Sequence, residues 1–95
     1  MITGYKNAKT RKVHQTGKPK GFSGLDGALA ADTLNLVKAA PSLDVLKAFQ
    51  RLRLHKLTGD RAGQWALSVN GPWRICFEVA ERGFDNVEFT DYHKG

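Results

Sequence analysis

From residue 51 onward the chain alternates apolar and polar side chains with a period of two, the pattern of strands that bury one face and expose the other. In 51–58, Leu52 and Leu54 point one way while Arg53 and His55 point the other. In 64–70, Trp65, Leu67 and Val69 face a core, and Gln64, Ala66 and Ser68 face away. In 73–79, Trp73, Ile75, Phe77 and Val79 face in; Arg74, Cys76 and Glu78 do not. In the last run Val87 and Phe89 face in, while Glu88, Thr90 and Tyr92 face out. Turn residues separate these runs at 59–63, at Asn70-Gly71 and at Glu81-Arg82-Gly83. Asn70-Gly71 is a hairpin pair, because both central positions of such a turn require positive φ. A single inserted residue would exchange the faces of everything beyond it.

The first half has the longer period of helices. Residues 1–6 predict a short strand with Ile2 and Tyr5 as its apolar members. Residues 7–16 predict a helix that Gly17 ends as a left-handed cap. A loop follows at 18–24. Leu25, Leu29, Leu36 and Ala40 then recur at helical spacing with Ala28 and Ala31 beside them, and Pro41 stops that helix. Ser42 caps a further short turn with Leu43 and Leu46 facing in; Val45 and Phe49 belong either to that turn or to the edge of the core.

Helices first and a sheet after them predict an α+β fold of two layers over 1–95, a single domain. N-terminal helices pack on one face of a twisted, mainly antiparallel sheet of four to five strands. The expected core is Leu25, Leu29, Leu36, Trp65, Leu67, Val69, Ile75, Phe77, Val87 and Phe89. The other face of the sheet is expected to stay open to water, and it carries the arginines.

Charge sharpens this picture. The net charge is +6 over 95 residues. Lys6, Lys9, Arg11, Lys12, Lys18 and Lys20 fall in the first 20 residues without an acid among them, and the remainder is close to neutral. A basic segment beside a neutral body points to an anionic partner, nucleic acid or an acidic protein. No apolar run is long enough for a membrane-spanning helix, and the N-terminus lacks the apolar stretch of a signal peptide. The single Cys76 can form no internal disulfide, which fits the cytoplasm. There is no phosphate-cradling glycine motif and no zinc-ligand spacing.

The outward positions carry the candidate chemistry. Arg53, His55, Arg74 and Tyr92 collect on one surface, with Asp91 and His93 flanking Tyr92. An RNA phosphodiester can be cut without metal when its own 2′-hydroxyl attacks. The protein then has to remove that proton, stabilise charge on phosphorus and protonate the departing 5′-oxygen. Histidine titrates near neutrality, and arginine stays charged and matches two phosphate oxygens. Asp91 either orients a histidine or takes the first proton itself. The same arginines could instead pair with Glu78 or Glu88 across strands. Cys76 reads as a small half-buried side chain.

These pieces, in this order, resemble the HigB branch of the RelE/ParE toxin superfamily. The resemblance rests on Leu54-His55-Lys56-Leu57-Thr58-Gly59-Asp60, Gly63-Gln64-Trp65, Val69-Asn70-Gly71-Pro72-Trp73-Arg74-Ile75-Cys76-Phe77 and Val87-Glu88-Phe89-Thr90-Asp91-Tyr92-His93. It implies a RelE-like fold and the toxin of a type II toxin–antitoxin system. Such toxins are ribosome-dependent, metal-independent endoribonucleases that cut mRNA during translation, with no cofactor. It implies a HigA-type helix-turn-helix antitoxin as partner, with operator DNA bound only through the complex. His55, Asp91, Tyr92 and His93 match the family's catalytic constellation; Arg53, Lys56 and Arg74 are the expected phosphate or RNA contacts. Lys6, Lys9, Arg11 and Lys12 would dock on ribosomal RNA. Where the family often has a lysine, this chain has Thr58, which shifts that contact to Lys56 or Lys94. Two other readings compete: a ParE-like gyrase-inhibiting toxin, and a non-catalytic RNA- or protein-binding module.

Overall fold

The computed structural model describes residues 1–91. Three helices pack on one face of a four-stranded antiparallel sheet, the α+β architecture expected from the sequence pattern. The helices are α1 (Ala8–Thr16), α2 (Gly27–Ala39) and α3 (Leu43–Lys47). The strands β1 (His55–Lys56), β2 (Gln64–Ser68), β3 (Trp73–Ala80) and β4 (Gly83–Asp91) lie in sequential order. The N-terminal segment adds a partial fifth strand. Ile2 and Tyr5 form parallel bridges to Phe84 and Val87 on the free edge of β4.

Local chemistry sets the helix ends. The Asn7 side chain accepts hydrogen bonds from the Thr10 amide (2.9 Å) and hydroxyl (2.7 Å), which starts α1. Gly17 ends it in the left-handed region (φ 70°), its amide donating to the Val13 carbonyl. Asp26 caps α2 by accepting from the Leu29 amide at 3.0 Å. The face that α2 buries is Gly27, Ala30, Thr33, Leu34 and Val37. The stripe expected from sequence is rotated from this: Leu29 and Leu36 are half-buried, Ala28 is exposed and Leu25 is buried just before the helix. The start of α2 lies so close to the end of α1 that a Cβ on Gly27 would sit 2.2 Å from the Gly17 carbonyl oxygen. That approach requires the glycine face inward, and Ala30, Leu34 and Val37 follow on the same face.

The sheet corrects several expectations. Residues 51–58 do not form one strand. Gln50–Leu52 is a single 3₁₀ turn, Arg53 adopts a left-handed conformation (φ 51°), and only His55 and Lys56 pair with β2. The Asn70-Gly71 hairpin has positive φ at Gly71 (50°) but not at Asn70. Asn70 instead ties the hairpin to the helical layer, accepting from the Asp26 amide at 2.9 Å and donating to the Gly24 carbonyl at 3.0 Å. A bulge does occur. Between the Cys76–Glu88 and Glu78–Asp85 pairs, Phe77 alone faces both Asn86 and Val87, and Asn86 takes φ 55°. The extra residue turns Phe84 inward together with Val87 and Phe89, and Phe84 meets Phe77 edge-on at 5.0 Å.

The core consequently includes Val13, Leu34, Val37, Leu46, Leu52 and Phe84 alongside Leu67, Ile75, Phe77, Val87 and Phe89. Trp65 is only half-buried, with the Lys47 ammonium 5.6 Å from its ring centre. Val79 shares the core-side parity but lies near the hairpin end of β3 and is 52% exposed. The outer face of the sheet is less open than expected: Ala66 and Cys76 are fully buried and Glu88 is 8% exposed. Ala66 and Cys76 are too short to rise above their neighbours, and longer side chains close over Glu88.

Candidate active face of the sheet

The strand register aligns the outward residues in rows. His55 opposes Ala66, Ala66 opposes Cys76 and Cys76 opposes Glu88, so all four share the outer face. A second row runs Ser68, Arg74, Thr90. His55 and Arg74 are thus two strands and two residues apart, about 12 Å between Cα atoms for standard sheet spacings.

His55 is exposed and its Nδ1 lies 3.0 Å from the Arg53 carbonyl oxygen. A carbonyl only accepts, so Nδ1 carries the proton and donates, leaving the Nε2 lone pair free to take one. The left-handed turn at Arg53, two residues before His55, places this carbonyl within reach of the ring. Arg53 itself is exposed and caps the 3₁₀ turn, outside the sheet. The Arg74 guanidinium donates through Nη1 to the carbonyls of Gly71 (2.8 Å) and Trp73 (3.0 Å), which orients it against the hairpin.

The remaining predicted residues distribute unevenly. Lys56 opposes Trp65, and this parity turns it to the helix-side face, away from His55. Thr58 is exposed beside the second 3₁₀ turn, Gly59–Arg61. Asp91 opposes Trp73, one residue beyond the Thr90 that faces Arg74. Tyr92, His93 and Lys94 lie outside the described residues. The basic N-terminal residues do not form one patch. Lys6 reaches the outer sheet face, where its ammonium pairs with Glu88 at 3.2 Å. Arg11 borders a cleft with residues 2–8 and acts on the Tyr5 phenol, whose pKa is raised chiefly by burial and lowered in part by that guanidinium. Lys9 and Lys12 line a separate cleft of about 530 Å³ with Lys18 and Lys20.

Sequence reasoning offered Glu88 as an ion-pair acceptor but missed its partners. Glu88 gathers two cations that the sequence did not single out as its partners, Arg61 and Lys6. It accepts Arg61 Nη1 at 3.2 Å and Lys6 Nζ at 3.2 Å, and Arg61 Nη1 also donates to Gln64 Oε1 at 3.0 Å. The available signal was an acid at an outward position between the apolar Val87 and Phe89, with an arginine in the turn before β2. Beside Glu88, burial raises the Cys76 thiol pKa; the neighbouring Thr90 hydroxyl and the Arg61 and Lys6 charges offset this in part. Among the described residues Thr90 Oγ1 is buried without a hydrogen-bond partner other than its interaction with that thiol. Among the described residues no three His, Cys, Asp or Glu side chains converge as metal ligands would, and no helix is long and apolar enough to cross a membrane.

A small α+β domain with an anchored imidazole and several guanidinium and ammonium groups on one sheet face is equipped to bind an anion and exchange protons with it. No family profile matches the chain. Among curated proteins it is similar to Endoribonuclease HigB of Proteus vulgaris, 29% identical over 93 residues that cover 98% of this chain and 100% of that protein. This likeness spans nearly the whole chain and supports the HigB-type resemblance carried by the sequence motifs.

Proposed function

We propose that this chain is the toxin of a type II toxin–antitoxin system, an endoribonuclease that cuts mRNA on the ribosome. The observation that carries this reading is His55: its Nδ1 is engaged by the Arg53 carbonyl and its Nε2 has no partner among the described residues, on a face bearing Arg74. The likeness to a protein named Endoribonuclease HigB supports the same class of reaction.

The chemistry follows from those groups. The substrate's 2′-hydroxyl attacks the adjacent phosphorus, its proton passes to a base, and the bond to the 5′-oxygen breaks as that oxygen gains a proton from an acid. The products are a 2′,3′-cyclic phosphate and a 5′-hydroxyl. His55 Nε2 is suited to one proton step, and its Nδ1–H bond to Arg53 strengthens when the ring becomes cationic. Asp91, Tyr92 and His93 supply the other proton step in this reading. Arg74 takes the charge that grows on the phosphoryl oxygens. The reaction needs neither metal nor cofactor. The ribosome completes the site by positioning the message, and a HigA-type helix-turn-helix antitoxin restrains the toxin and carries the complex to operator DNA. The setting is the cytoplasm, where ribosomes work.

Induction of the wild type, His55→Gln and His93→Gln in a bacterial host, with mapping of mRNA 5′ ends, tests this. Wild type should arrest growth and create new ends inside translated codons. Loss of a general acid or base should lower cleavage by about 10²–10⁴-fold. Arrest without new ends, persisting in both variants, would instead favour a topoisomerase poison or a pure binder.

A further inference from the structure

We propose that Arg61 and Lys6, held in place by Glu88, form a second phosphate-binding clamp for the RNA strand, separate from the His55–Arg74 pair. The proposal rests on the nuclease reading for its ligand and on the geometry of the outer sheet face for its site.

Glu88 is the positioning group. Its side chain is 11% exposed, so its carboxylate is directed at the two cations rather than at water. Lys6 and Arg61 are different: 48% and 36% of their side chains remain accessible. Two positive groups against one carboxylate leave a net positive charge at the surface. The Arg61 fork is only partly used. Both of its hydrogen bonds, to Gln64 and to Glu88, come from Nη1, and among the described residues Nε and Nη2 donate to nothing. Those two groups lie on the edge of the guanidinium that matches a pair of phosphate oxygens.

One row of the sheet links the clamp to His55. Between Glu88 and His55 it holds Cys76 and Ala66, both fully buried under neighbouring side chains, so a ligand would run over that cover and not on the row itself. Three strand spacings separate the ends of this row, about 14 Å. That exceeds the reach of one phosphate group. A strand of RNA crossing the row would set one phosphate near His55 and Arg74 and another at Lys6 and Arg61. The clamp would then supply binding, not proton transfer.

The test measures binding of a short single-stranded RNA with every 2′-hydroxyl methylated, so that no cleavage can occur. Fluorescence anisotropy is read across a salt series for wild type, Arg61→Gln, Lys6→Gln and Glu88→Gln, with circular dichroism confirming the fold. Arg61→Gln and Lys6→Gln should each weaken binding several-fold and reduce the salt slope by roughly 0.7, the loss of one phosphate contact to a single strand. Glu88→Gln is the decisive variant. Removing a negative charge would tighten RNA binding if Glu88 merely neutralised its neighbours. If it positions them, binding weakens although net charge rises. Tighter binding by Glu88→Gln, or wild-type binding by Arg61→Gln, overturns the clamp. Where Glu88→Gln fails to fold, the Arg61 and Lys6 variants decide alone. A wild-type protein with no salt-dependent RNA binding also overturns it. The nuclease reading is judged separately by cleavage of mRNA in cells, so the two can fail independently.

Discussion

His55 and Cys76 occupy one row of the outer face with opposite chemical fates. His55 is exposed, with one ring nitrogen anchored and the other without a partner among the described residues. Cys76 is fully buried, and its thiol is held above its ordinary value of 9.0, chiefly by burial. The thiolate is the reactive form of cysteine, so this residue is inert at neutral pH. A thiol alkylating reagent should therefore modify the denatured chain quickly and the native chain only at the rate at which it opens. Linkage gives a second consequence. Because the folded pKa is raised, the contribution of Cys76 to stability is full below about pH 9, the unfolded value, and is lost as pH rises through the folded value. Thermal melts at pH 8 and pH 10 should show a larger loss for wild type than for Cys76→Ala. Equal losses would mean that the thiol titrates normally in the fold.

At the scale of elements, the legible parts were those where local chemistry and pattern agreed. Gly17 and Pro41 marked helix ends from sequence, and the alternation of β2 and β3 gave their faces correctly because a half-buried strand has no other way to satisfy it. What failed was decided by contacts distant in sequence. Leu52 and Leu54 alternate with polar residues, but a 3₁₀ turn and one left-handed residue satisfy the same spacing. The bulge at Asn86 depends on pairing with Phe77, which no local pattern records. The rotation of α2 offers a clear case. Two apolar stripes compete on that helix, and the close approach of Gly27 to Gly17 accompanies the one that is buried. Gly27→Ala should force the two backbones apart and cost about 1–3 kcal/mol, the range for overpacking a tight site. In a denaturant melt the midpoint should fall with the slope unchanged. Alanine favours helix over glycine intrinsically, so a stabilised variant would show that the contact is loose.

At the scale of the whole molecule, the positive charge that looked like one N-terminal patch is divided between the two layers. Lys6 joins the outer sheet face, while Lys9, Lys12, Lys18 and Lys20 surround a cleft where the 18–21 loop folds back on α1. A Cβ on Gly21 would lie 3.3 Å from the Lys9 side chain, so loop and helix are in contact there. None of these four lysines forms an ion pair among the described residues. Cations thus lie on both layers of a molecule of 30 × 27 × 25 Å. In the proposed function, the lysine cleft docks on ribosomal RNA while the sheet face handles the message. Charge reversal of Lys9 and Lys12 together should then weaken sedimentation with ribosomes and flatten its salt dependence, by roughly 0.7–0.9 in the log–log slope per lost phosphate contact. Cleavage by the toxin already bound should be unchanged, since neither lysine lies on the His55 face. Unaltered ribosome binding would remove the cleft from the docking surface and leave the sheet face to carry the attraction alone.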